Sequence, residues 1–151
     1  MDRVSTSDSV LDQSASALLA DLASRRLSAE ALMVATVDRI AERNPAVNAV
    51  VGLADPGALL AQARALDAGP VMGPLHGLPL AIKDLVNVQG IRSTRGSPIF
   101  ADFVPERDDV LAARSRASGV SAGRDEEDPV HGRKSPSTSI EIVLSNEVAI
   151  L

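Results

Sequence analysis

The chain of 151 residues is long enough for one compact domain, and its apolar fraction of 45% and charged fraction of 23% are ordinary for a globular protein. A formal net charge of −5 excludes the basic surface that nucleic-acid binding needs, so we expect no nucleic-acid partner. Without cysteine there can be no disulfide, thiolate metal site or thiol nucleophile, which fits the cytoplasm, and no segment is apolar enough to place the chain in a membrane.

The first part of the chain predicts helices. Residues 1–13 are polar and are predicted to be disordered. Ser14 or Ser16 can accept a hydrogen bond from the first turn of one helix, and Ser28 can do the same for a second. The second helix is predicted to end at Asn44-Pro45, because the residue before a proline avoids the helical region.

A strand and a third helix are predicted next. The Val-rich run at 47–53 favours a strand, and Asp55-Pro56 is typical of a helix start, with a capping residue followed by proline at the first helical position. After a Gly- and Pro-rich stretch, residues 78–86 predict a second strand, with Leu80 and Ile82 on one face and Ala81 and Lys83 on the other.

The last predicted helix lies beyond an irregular stretch at residues 87–107. Asp108 is predicted to cap it, and Gly119 to close it. After Gly119 the pattern of apolar residues fails. Residues 121–139 have almost nothing to bury and predict disorder, whereas 140–151 alternate weakly and are either a strand or unstructured.

Lys83 is the residue that most needs an explanation. It stands in a mostly apolar strand, where an ammonium is costly unless it is paired or loses its proton. A neutral lysine is a usable base. The alternative, favoured by spacing alone, is that Lys83 pairs with Asp84 or reaches solvent at the end of the strand.

Residues 73–84 favour the interpretation of Lys83 as a base over the interpretation of it as a surface residue. They read Gly-Pro-Leu-His-Gly-Leu-Pro-Leu-Ala-Ile-Lys-Asp and closely resemble the segment around the catalytic lysine of amidase-signature enzymes. The resemblance covers residues 14–120 and is most specific at 73–84. Other matching segments are Leu27-Ser28-Ala29-Glu30, Thr94-Arg95-Gly96-Ser97, Phe100-Ala101-Asp102 and Ala117-Ser118-Gly119.

This resemblance implies an α/β fold in which N-terminal helices lead into part of a mixed-sheet α/β/α core, here incomplete. It also implies hydrolysis of amide C–N bonds through an acyl-enzyme formed on a serine. A second serine, held by a cis peptide bond, connects that nucleophile to the lysine. Lys83 takes the place of the family's catalytic lysine and is our predicted catalytic residue, with no cofactor and no metal.

The serines of the family are not matched. They belong to a Gly/Ser-rich segment far downstream of the lysine, and no such segment follows Lys83. The seryl run at 135–139 has no glycine to let backbone N–H groups approach an oxyanion. Ser97, which precedes a proline, is interpreted as a turn residue. His76 and His131 are too far apart in the sequence to predict a metal site, and Ser115 stands where the family has an apolar residue.

The prediction is therefore an amidase chain truncated before its nucleophile and inactive alone. Residues 121–151 are predicted to be a tail foreign to the family, which a shift of reading frame would produce. A non-catalytic interaction fragment, one half of a split amidase completed by a chain with the Gly/Ser-rich segment, and an unrelated small α/β protein are the alternatives. A small-molecule amide is the expected substrate of the complete enzyme; the choice among aliphatic, aryl and fatty amides and glutaminyl-tRNA stays open.

Overall fold

The computed structural model describes residues 10–121 and the backbone of residues 148–150. Its elements come in the order helix, helix, strand, helix, strand, helix, strand, with a 3-10 turn before the last helix. They are α1 (Ala15–Ala23), α2 (Ala29–Val47), β1 (Val50–Leu53), α3 (Pro56–Ala68), β2 (Ala81–Lys83), the turn Pro98–Phe100, α4 (Val110–Ala117) and β3 (Val148–Ile150).

The predicted N-terminal caps of the first three helices are confirmed. The side chains of Ser14, Ser28 and Asp55 each accept a hydrogen bond from a backbone N–H of the first turn of α1, α2 and α3. The N-terminus of α2 is held a second time, because the Asp67 carboxylate at the end of α3 accepts the N–H groups of Ala29 and Glu30 at 2.8 and 3.0 Å. These local rules therefore fix where the helices begin.

The predicted end of the second helix at Asn44-Pro45 is wrong. Helix α2 continues through Pro45 to Val47 and is closed by Asn48 in the left-handed region, with φ of 47°. The Asn44 side chain makes two hydrogen bonds to the backbone of Val50, at 2.8 and 2.9 Å. The last turn is thus tied to β1, and this contact from outside the helix outweighs the local preference of the residue before proline.

The core is aliphatic, as the lack of Trp and Tyr requires. Three groups of buried side chains fill it, one between α2 and α3, one between α1 and α2, and one beneath β2. Their members are Ala29, Met33, Leu59, Ala63 and Leu66; Leu18, Leu32 and Leu78; and Leu80, Ile82, Val88, Ile91, Ala112 and Val120. Val10 and Leu11 pack on the group around Leu18, so ordered packing begins before residue 14, and residues 1–9 lie outside the described residues.

The sheet of the described residues has three strands in the order β1-β3-β2. Strand β3 runs parallel to β1 and antiparallel to β2, so the sheet is mixed. It lies within the predicted foreign tail, where the sequence left strand and disorder open for 140–151; residues 122–147 of that tail lie outside the described part of the chain.

The strand predicted at 78–86 is shorter in the structure, where β2 comprises Ala81–Lys83. Pro79 has no N–H to donate to a neighbouring strand. On the other side the chain turns at once, with the N–H of Val86 bonded to the carbonyl of Lys83 at 3.0 Å. The predicted alternation is confirmed, because Leu80 and Ile82 are buried whereas Ala81 and Lys83 are exposed.

After α4 the chain runs beside the segment that leads into β2. The N–H of Ser121 donates to the carbonyl of Leu78 at 3.2 Å, and Ser121 forms a parallel bridge with Pro79. The Ser121 side chain is fully buried, and its hydroxyl has no hydrogen-bond partner. Burial of a hydroxyl costs free energy when no hydrogen bond in the protein replaces its hydrogen bonds to water.

We therefore expect Ser121→Ala to raise the free energy of unfolding by about 1 kcal/mol, because it removes that cost. Urea unfolding followed by far-ultraviolet circular dichroism measures this, since the chain has no Trp or Tyr to report by fluorescence. The matched control is Ser115→Ala, whose equally buried hydroxyl donates to the Leu111 carbonyl at 2.9 Å. A gain at Ser115 as large as that at Ser121 would contradict the assignment.

Candidate active site

Lys83 is the last residue of β2, and its side chain is exposed. Of the two interpretations that the sequence leaves open, this position agrees with the one in which Lys83 reaches solvent at the end of the strand. Its apolar neighbours Leu80 and Ile82 point to the opposite face of the strand and are buried there. Alternation along the strand therefore puts Lys83 on the face that also carries Ala81, away from the core.

Asp84, the next residue, is 2% exposed and is the most deeply placed charged side chain of this region. Its carboxylate accepts the backbone N–H of Thr94 at 3.0 Å, the Thr94 hydroxyl at 2.6 Å and the N–H of Arg95 at 3.0 Å. Hydrogen bonds to a charged acceptor are stronger than neutral ones. Asp84 thus fixes the end of β2, and with it Lys83, to the loop that follows.

Residues of that loop pack around the Arg95 side chain. Arg95 has φ of 53°, and its guanidinium lies over the rings of Phe100 and Phe103, 5.0 and 5.3 Å from their centres. It also donates to Oδ1 of Asn87 at 2.9 Å. The two aromatic residues of the chain are therefore used here, in cation–π contacts, and not in the core.

Two adjacent carboxylates hold the start of the loop against α4. Asp108 accepts the N–H of Gln89 and pairs with Arg116, both at 2.8 Å, and Asp109 accepts the N–H of Asn87 at 2.8 Å. Asp108 was predicted to cap the helix, but Asp109 is the residue that precedes α4, and its side chain makes no capping hydrogen bond. Both carboxylates bind backbone N–H groups from the other side of the loop instead.

A close backbone contact joins the segment before β2 to the end of α4. The N–H of Leu75 donates to the Ser118 carbonyl at 3.0 Å, and that of Gly77 to the Gly119 carbonyl at 2.8 Å. Gly119 has φ of 86°, and a Cβ there would lie 2.9 Å from the backbone of His76. This approach requires glycine at position 119, two residues after the end of α4.

The His76 ring is hydrogen-bonded on both sides. Its Nδ1 accepts the N–H of Met72 at 3.3 Å, and its Nε2 lies 3.1 Å from the Leu66 carbonyl. With Nδ1 as acceptor, Nε2 carries the proton and donates. The ring therefore connects the end of α3 to the segment before β2.

The remaining sequence candidates are Ser97, His131 and the seryl run at 135–139. The Ser97 hydroxyl accepts the N–H of Ile99 at the start of the 3-10 turn, which is the turn role predicted for it. The seryl run at 135–139 and His131 lie outside the described residues. Within residues 10–121, no three His, Asp or Glu side chains group as metal ligands, and no helix is long and apolar enough to cross a membrane.

Known proteins are similar to this chain over the part that contains Lys83 and its surroundings. The sequence model of the Amidase family matches residues 31–123, more than half of the chain, and this range holds β1, β2, Lys83 and α4. The chain belongs to the amidase family. The curated relatives include the glutamyl-tRNA(Gln) amidotransferase subunits A of Azoarcus sp. (strain BH72), 43% identical over 119 residues, and of Acidothermus cellulolyticus, 41% identical over 107 residues.

These two matches cover 76% and 68% of this chain but 24% and 21% of the relatives. Among solved structures, the chain is similar to one described as a vestigial protein complex that reveals the evolutionary origins of an s-triazine catabolic enzyme. That likeness has 28% identity and a TM-score of 0.65, and it covers 72% of this chain and 24% of the other. The chain thus spans about a quarter or less of the length of the amidase-family proteins it matches.

The amidase-family match agrees with the observed fold, in which N-terminal helices lead into a small mixed sheet. Sequence reasoning predicts Lys83 as a catalytic residue from the segment at 73–84. It missed Asp84 as a structural anchor, because the partners of this carboxylate are ten residues further along an irregular loop. The available signal was an acidic residue directly after an apolar strand, which at a buried position requires hydrogen-bond donors nearby.

Proposed function

We propose that this chain supplies the lysine-bearing part of an amide-hydrolysing enzyme, and that Lys83 is its proton-transferring base. The nucleophilic serine and the bridging serine come from a segment that these 151 residues do not contain. The proposal is carried by the position of Lys83, at the end of a strand anchored by the buried Asp84 and on the face directed away from this chain's own core.

That position suits a base that must meet groups from elsewhere. A neutral lysine Nζ accepts the proton of the bridging serine hydroxyl, which in turn takes the proton of the nucleophile. The nucleophilic oxygen then forms a bond to the amide carbon, the C–N bond breaks, and the proton returns to the departing nitrogen. Water later cleaves the resulting ester and regenerates the serine.

The environment of Lys83 in this chain is incomplete for that task. Proton transfer of this kind takes place in a closed site from which water is excluded. The exposed face with Ala81 and Lys83 lacks such a cover among the described residues. We infer that the segment with the serines also provides this cover.

The test is reconstitution. We expect the 151-residue chain to release no ammonia from aliphatic, aryl or glutamine-type amides above the uncatalysed rate, because it has no activated nucleophile. Mixing it with a polypeptide made of the remainder of the Azoarcus relative, after the aligned segment, should raise ammonia release by at least about a hundredfold over the sum of the two parts.

A matched control uses the aligned segment of the Azoarcus relative with the same remainder. If that segment restores activity and our chain binds the remainder without restoring any, the catalytic proposal is overturned, and the alternative of a non-catalytic interaction fragment is favoured. Ammonia release by the 151-residue chain alone would also contradict the proposal, because it would show that no further segment is needed for activity.

The proposal also includes the extent of the family part, the substrate, the cellular compartment and a partner chain. We propose that the family part of the chain ends near residue 120, that the complete enzyme acts on a small-molecule amide, and that it works in the cytoplasm, which the cysteine-free sequence fits. The relatives are named as a subunit of an amidotransferase, which supports assembly of the complete enzyme with a partner chain.

A further inference from the structure

No further inference is drawn: the strongest candidate, the open cleft in the loop between β2 and α4 that is lined by Asn87 and residues 102–107, has the exposed carboxylates of Asp102 and Glu106 beside the Phe103 ring, and nothing in the structure shows which molecule or segment covers it.

Discussion

Replacement of Lys83 by methionine is expected to lower kcat/KM of the reconstituted enzyme by about a thousandfold, the usual size of a general-base contribution. Methionine keeps the length and apolar stem of the side chain but has no basic nitrogen. Because Lys83 is exposed on β2 and its backbone belongs to the ladder with β3, the substitution should leave the fold of this chain unchanged. The measurement is ammonia release at saturating complement.

Two further variants identify the cause of that loss. Lys83→Arg retains a positive charge but cannot give up its proton, so we expect it to be as inactive as Lys83→Met if the residue is a base. Arg64→Met removes an exposed cation that pairs with Glu30 on the helical side of the molecule, and it should retain full activity. Substantial activity in Lys83→Arg would show that charge alone is required and would contradict the role of base.

Replacement of Asp84 by alanine is expected to lower the free energy of unfolding by about 3 kcal/mol. The buried carboxylate accepts hydrogen bonds from two backbone N–H groups and the hydroxyl of Thr94, and its removal leaves these donors without an acceptor. Urea unfolding followed by circular dichroism gives the difference, read from the midpoint at unchanged slope.

Asp102→Ala is the matched control for that prediction, because Asp102 lies in the same loop but is exposed, and the change should stay within about 0.5 kcal/mol. Asp84→Asn should fall between the two, since an amide oxygen accepts while its NH2 group faces donors. A loss at Asp84 no larger than at Asp102 would mean that the carboxylate does not hold the loop to β2.

Local signals allowed prediction of the starts of α1, α2 and α3 and of the faces of β2. Ser14, Ser28 and Asp55 each accept from a backbone N–H three residues away, so the sequence alone contains the whole interaction. The end of α2 could not be predicted in this way. It depends on the contact between Asn44 and Val50, which exists only after β1 has taken its place.

The candidate site, like the helices, could be predicted from the sequence only in part. Lys83 was predicted from the characteristic segment around it, and its face on β2 follows from alternation. Its exposure agrees with one of the two interpretations that the sequence left open, and the sequence alone could not decide between them. The pairing of β2 with residues 148–150 could not be predicted either, because these two segments come together only in the tertiary structure.

The order of the three strands has a kinetic consequence. Val50 and Val148 are paired although they lie roughly a hundred residues apart along the chain, and such distant pairings slow folding because a long loop must close first. On the ribosome, α1, α2 and α3 can pack soon after they emerge, whereas the central strand is synthesised later than both strands that flank it. For that interval β1 and β2 present open inner edges in the cell, where a chaperone or a cotranslationally assembling chain can reach them before β3 does.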